Sequence, residues 1–452
     1  MRLFAFCVLL IFLFLPLTLL GQTVRFETSL GNIDVQLLPN DAPKTVANFL
    51  AYLQANAYVN SFIHRSVPKF VIQGGGYQWS ETNGPVPITE NAPVVNEFKV
   101  SNTRGTLAMA KLGTDPNSAT SQWYFNEADN SSNLDSSNGG FTVFGRVAND
   151  AGLAVMDLIA NQPTYDASTF FGSADFTDLP LVNYNGSFAS QNLVLITAIL
   201  VVPGIASNAI IAPGDFGGAA TVTAGSYLEI YGTNLAGTTR TWRTSDFSNV
   251  NAPTTVDKVS VTVNGTSAYV SFVSPTQVNV EVPTGIPTIG TVPVVLTYNG
   301  NPSALINVTV KADGSAILAP TSFKISGKQF VGAYHVNGAP VNNGQIHGFP
   351  TAPASPGETL LFYGLGFGPV KSGAAIAGKI ATGQTTLSNP VKFLFGDNKK
   401  EGTVLYQGLA PNFVGLYQFN VTVPPDAASG DLALQVSQNG NALPQTLYIS
   451  VK

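Results

Sequence analysis

The run AGSYLEIYG at residues 224–232 returns as PGETLLFYG at 356–364, an offset of 132 residues, and SPTQVNVEVP at 274–283 returns as GLYQFNVTVP at 415–424. Segments that recur in the same order at nearly the same distance specify two copies of one unit. Two copies are too few to stack as a solenoid, so a tandem pair split near residue 312 is expected. Within each copy, strands of about five to eight residues recur between Gly, Pro and Asn turns, the spacing of sandwiches and barrels. Only 10% of the residues are charged, against about 25% in an ordinary soluble domain. Gly (44 residues) and Pro (29) take much of that place, which favours turn-rich β-structure over helical bundles.

The first half of the chain reads differently. Residues 24–38, VRFETSLGNIDVQLL, alternate apolar and polar on each side of Leu30-Gly31-Asn32 and predict a hairpin. Asp41 as N-cap, Pro43 in the first turn, and Val46, Phe49, Leu50 and Leu53 on one face predict a helix of about three turns. GLAVMDLIA at 152–160 predicts a second helix, and LVLITAILVV at 193–202 a buried closing strand. A β-rich domain with two helices is expected over 23–203, followed by β-domains at 204–312 and 313–452.

Met1-Arg2 followed by LFAFCVLLIFLFLPLTLL and polar Gln22-Thr23 has the charge-then-apolar layout of an export signal over residues 1–22. The run is also long enough to span a bilayer as an uncleaved anchor, but Pro16 interrupts it near its end, and export with cleavage is the reading taken. The periplasm, the cell surface or the exterior would be the destination. The one cysteine, Cys7, lies in that segment, so a cleaved chain has no disulfide, no thiolate chemistry and no cysteine-bound metal. Net charge is −5 with no basic stripe, which argues against nucleic acid as a partner.

Three stretches carry the chemistry. FIHRSVPKFVIQGGG at 62–76 places a guanidinium at Arg65, an aromatic at Phe70 and a carboxamide at Gln73, with an alternation that puts Arg65 and Gln73 on one face of a strand pair. GTLAMAKLGTDPNSATSQWYFN at 105–126 adds Gln122 and Tyr124, and NLDSSNGGFTVFGRV at 133–147 adds Leu134 and Phe141. In order and spacing these blocks resemble the cyclophilin family over nearly all of residues 23–203. The resemblance implies a closed eight-stranded β-barrel capped by two helices, and isomerisation of the peptide bond before proline in peptides or unfolded protein clients. It also implies no metal and no cofactor. By the same resemblance Arg65 and Gln73 are catalytic, while Phe70, Val71, Ala110, Lys111, Gln122, Tyr124, Leu134 and Phe141 bind substrate. Three of these depart from common family usage: Val71 stands where Met is frequent, Tyr124 where Phe is, and Phe141 where His is. An apolar wall survives each change, so activity with altered preference is expected. Asn133 stands where many eukaryotic members carry Trp, which disfavours tight cyclosporin binding.

Other features resolve to blander readings. His64 suits a structural histidine in a strand pattern better than an acid-base group. Gly74-Gly75-Gly76 lacks a following helix and reads as a tight backbone path rather than a phosphate cradle. YGLGFGPVK at 363–371 has spaced glycines, but Pro369 follows and its repeat partner YGTNLAG lacks the pattern, so a turn is expected. Asp129, Ser131, Asn133 and Asp135 suggest a calcium loop until the twelfth position, Gly140, supplies no carboxylate. His335 and His347 have no companion ligands nearby in sequence and read as structural or solvated.

Residues 205–452 resemble the paired immunoglobulin-like module at the C-termini of many large exported bacterial proteins, through TVTAGSYLEIYGTNLAG, VSVTVNG, FVSPTQVNVEVP, ASPGETLLFYGLGFGPV and YQGLAPNFVGLYQFNVTVP. That resemblance implies two β-sandwiches; binding or spacing at a cell surface is the expectation from the fold, and Tyr and Phe in their loops suggest a glycan ligand. The competing reading of the whole chain is an adhesin or scaffold whose barrel grips proline-containing segments without catalysis.

Overall fold

The computed structural model describes residues 21–212, 221–312, 314–346, 350–371 and 377–452. Residues 1–20 of the export segment, with Cys7, and His347 lie outside the described residues. Among the described residues no helix is long and apolar enough to cross a membrane. The chain forms two compact units that divide at Gly204/Ile205.

The first unit is built on β1 (Thr23–Thr28), β2 (Gly31–Leu37), β3 (Ser61–Phe62), β4 (Arg65–Val67), β5 (Val71–Gly74), β6 (Tyr77–Ser80) and β7 (Gly84–Pro87). The chain continues through β8 (Thr106–Met109), β9 (Trp123–Asn126), β10 (Val143–Val147), β11 (Thr164–Tyr165), β12 (Leu179–Pro180) and β13 (Leu195–Val202). Its helices are α1 (Pro43–Gln54), α2 (Ser131–Leu134), α3 (Asp150–Ala160) and α4 (Ser168–Phe171). Eleven strands form one ladder in the order β4-β5-β9-β8-β10-β2-β1-β13-β3-β6-β7. The expected closed eight-stranded barrel is therefore not what the pairing shows: the ladder is open, with β4 and β7 at its ends. Two local features account for the difference. The stretch 61–67 breaks at Ile63-His64 into two short strands on distant parts of the ladder, and β6 and β7 form an extra hairpin that sequence alternation did not mark.

The two expected helices are present as α1 and α3, joined by the one-turn α2 and α4. The expected cap of α1 is not. Ala42 is the N-cap residue and makes no side-chain cap. Glu97, far along the chain, accepts instead from the Lys44 amide (3.2 Å) and the Thr45 amide (2.9 Å). Asp41 pairs with Lys99 at 2.7 Å. The main core lies between the ladder and the long helices, where Phe26 meets Trp123, Phe125 and Phe49 at ring separations of 5.0, 5.2 and 6.0 Å.

In the second unit the repeated runs become equivalent strands. Tyr227–Thr233 pairs with Gln277–Glu281, and Thr359–Leu365 pairs with Tyr417–Thr422. Each copy has two sheets whose apolar faces share a core. In the first, Leu228, Ile230, Val278 and Val280 meet Val259, Val261, Val294 and Val308; in the second, Leu360, Phe362, Phe419 and Val421 meet Phe393, Leu434, Val436 and Ile449. Facing apolar sheets are the packing of a β-sandwich.

Candidate active site

Strand period two decides what the β4-β5-β9-β8 surface presents. Arg65 pairs with Gln73 across β4 and β5, Gln73 with Tyr124 across β5 and β9, and Tyr124 with Ala108 across β9 and β8. The alternate residues Ile72, Phe125, Leu107, Met109 and Trp123 enter the main core. The outward face carries a separate apolar cluster of Val71, Ala108, Tyr124, Leu134 and Val143, with Phe70, Ala110 and Phe141 partly buried against it. The six apolar residues that the resemblance assigned to substrate thus lie together.

A hydrogen-bonded chain runs beside that cluster. Arg65 Nη1 donates to Gln73 Oε1 at 3.4 Å, and Gln73 Nε2 donates to Gln122 Oε1 at 2.9 Å. Ala110 joins the frame through its amide, which donates to the Gln122 carbonyl at 3.0 Å. Lys111 closes one side: its ammonium donates to the carbonyls of Asn138 (2.7 Å) and Gly140 (2.6 Å) and stands 4.7 Å from the centre of the Phe141 ring. Burial holds the Lys111 pKa below the ordinary lysine value.

Sequence reasoning missed the polar network behind the pocket. Tyr124 Oη donates to Asn102 Oδ1 (3.0 Å), Asn126 Nδ2 donates to the same oxygen (3.1 Å), and Asn130 Nδ2 donates to Asn126 Oδ1 (2.8 Å). The network also grips the pocket walls, because Asn130 donates to the Phe70 carbonyl (2.8 Å) and Asn102 to the Phe141 carbonyl (3.0 Å). Burial raises the Tyr124 phenol far above its ordinary value, so it stays a neutral donor. Asp135, weighed as a calcium ligand, accepts from Ser101 and from the amide and side chain of Asn102. Burial pushes its carboxyl up, but those hydrogen bonds outweigh burial and hold it below the ordinary carboxylate value. Among the described residues no acid, His and Cys cluster is arranged to hold a metal.

His64 is buried, its ring edge-on to Tyr77 at 5.4 Å. Desolvation lowers its pKa to about 4, which makes it a neutral packing residue at pH 7. The glycine run serves close approach: a Cβ on Gly74 or Gly75 would fall within 2.7 Å of Trp123, and Gly75 has φ +78°. Asn133 is exposed on α2.

Residues 23–173 match the family described as cyclophilin type peptidyl-prolyl cis-trans isomerase. The peptidyl-prolyl cis-trans isomerase of Acinetobacter baylyi is 44% identical over 149 residues, which span 32% of this chain and 76% of that protein. The chain belongs to the cyclophilin-type peptidyl-prolyl cis-trans isomerases. The isomerase cyp18 of Streptomyces antibioticus is 40% identical over 32% of this chain and 86% of its own length. Isomerase B of Escherichia coli is 37% identical over 31% and 85%. Residues 219–325 match the IPT/TIG domain family, an immunoglobulin-like sandwich. The first unit of this cyclophilin is thus an isomerase domain that takes proline-containing peptides, and an immunoglobulin-like domain follows it in the chain.

Proposed function

We propose that Arg65 carries the isomerisation by donating a hydrogen bond to the prolyl nitrogen. Rotation about an X-Pro bond crosses a barrier of about 20 kcal/mol set by amide resonance. A donor aimed at the nitrogen lone pair localises that pair and weakens the resonance, so the twisted amide is stabilised more than either planar form. A guanidinium is a charged donor throughout the physiological pH range. Gln73 holds the guanidinium and the substrate carbonyl. Val71, Phe70, Tyr124, Leu134 and Phe141 receive the proline ring, and Ala110, Lys111 and Gln122 frame the peptide. The observation that carries the reading is the register that sets Arg65 opposite Gln73 beside the apolar cluster.

The test is an NMR exchange or protease-coupled assay on an X-Pro peptide. Arg65→Ala should lose about two to three orders of magnitude in kcat/KM, the loss typical when a transition-state donor is removed. Equal rates in wild type and variant would sink the assignment.

We further propose that the protein is exported through cleavage of residues 1–22, and that sandwiches at 204–312 and 313–452 present the isomerase at or beyond the cell envelope. The charge-then-apolar N-terminus supports this. An N-terminal sequence of the cellular protein that still includes Met1 would overturn it.

A further inference from the structure

Between α3 and β13 the chain makes an excursion that carries β11, α4 and β12. Its own apolar cluster, Ala167, Phe176, Leu179, Leu181 and Leu193 with Phe62, gives it a fixed fold. It docks on the free edge of β4: the Ser66 amide donates to the Asp178 carbonyl at 2.9 Å. Tyr77 Oη donates to Asp175 and pins the preceding turn. That anchoring sets the Asp178 carboxylate beside the guanidinium, with Oδ2 3.6 Å from Arg65 Nε. Gln73 meets the same guanidinium through Nη1. Asp178 lies beyond the residues matched to the isomerase family, which end at 173.

We propose that Asp178 is a positioning residue for isomerisation, holding the Nε edge of Arg65 while Gln73 holds Nη1, so that the guanidinium is already oriented when the prolyl nitrogen arrives. The inference rests on the assignment of Arg65 above. An arginine has many rotamers, and a donor that must be ordered during reaction loses part of its advantage. The opposing effect is neutralisation, since a carboxylate in contact weakens a guanidinium as a donor. Here the separation is 3.6 Å and the two side chains are 31% and 42% exposed. Water screens such a pair, so neutralisation is small, and the orienting effect is a modest one that rests on the anchoring of residue 178 by the Ser66 amide.

The experiment measures kcat and KM of the full chain for wild type, Arg65→Ala, Asp178→Asn, Asp178→Glu and the double variant Arg65→Ala/Asp178→Asn, with thermal midpoints alongside. Asp178→Asn should lower kcat about two- to fivefold, as expected for a half-exposed pair, with KM and the midpoint unchanged. Asp178→Glu should recover most of the rate, and Asp178→Asn should have no further effect in the Arg65→Ala background. If Arg65→Ala is impaired while Asp178→Asn is equal to or faster than wild type, the positioning role fails and the role of Arg65 stands. An equal loss from Asp178→Asn with and without Arg65 overturns it in the same way. A fully active Arg65→Ala removes both.

Discussion

At the residue scale the isomerase domain separates groups that titrate from groups that work. His64 adjoins Arg65 in sequence, yet its side chain is turned inward and desolvated, with a pKa of about 4. A histidine lowered in the folded state binds fewer protons than the unfolded chain between that value and about 6.5. Its neutral burial therefore gives stability that is present above about pH 6.5 and is lost as pH falls toward 4. The imidazole resonances should stay at their neutral positions from pH 8 down to 5 and move only near 4; a midpoint near 6.5 would contradict the buried placement. Arg65 and Gln73 were legible because strand alternation sets them on one face, and Tyr124 because its block resembles the cyclophilin family. Asn102, Asn126 and Asn130 were not: in loops and at strand ends polar residues carry no period, and only the fold brings them behind the pocket. Asp178 was invisible for the same reason, as it reaches Arg65 through space alone.

At the scale of elements, the helix that covers the isomerase core shows how a local rule can be met by a distant residue. Pro43 at its first turn and its apolar face were readable, and the helix lies where they indicate. The cap was misread, because Asp41 has the right chemistry at nearly the right position. The helix begins one residue later, and the backbone there takes Glu97 from another loop, whose carboxylate also accepts from the Thr45 hydroxyl at 2.9 Å. A carboxylate on two first-turn amides neutralises orphan donors and suits the positive end of the helix. Glu97→Ala should destabilise the isomerase domain by about 1–2 kcal/mol, the usual worth of a cap. Asp41→Ala should cost under about 1 kcal/mol, because it removes only the pair with Lys99. Urea midpoints compare the two, and the reverse ranking would restore Asp41 as the cap. The open ladder was harder to anticipate: strands of two to four residues, such as β3, β4 and β6, are too short for alternation to count them.

At the scale of the whole molecule, the tandem repeat was the most legible feature, since two copies of one strand pattern survive as two copies of one strand pairing. What the repeat did not reveal is the divergence inside it. Glu281 of the first copy pairs with Tyr227 in register, where the second copy pairs Thr422 with Thr359. Glu281 is only 2% exposed; its carboxylate accepts from the Gly378 amide of the second copy at 2.7 Å and is faced by the Tyr227 and Tyr417 phenols. Burial raises its pKa to about 8, against the smaller lowering from the Gly378 amide. A carboxyl raised in the folded state holds a proton that the unfolded chain has released between about pH 4.5 and 8, so stability falls as pH rises through that window. The second unit should therefore be most stable below about pH 4.5 as far as this group is concerned, and lose several kcal/mol by pH 9. Glu281→Gln keeps an acceptor for Gly378 and removes the titration. Its unfolding midpoint should match wild type near pH 4 and exceed it at pH 9, in the opposite sense to the loss that His64 imposes on the isomerase domain in acid. Parallel wild-type and variant curves across pH would mean that water reaches the carboxylate and that the contact between the two copies carries no buried charge.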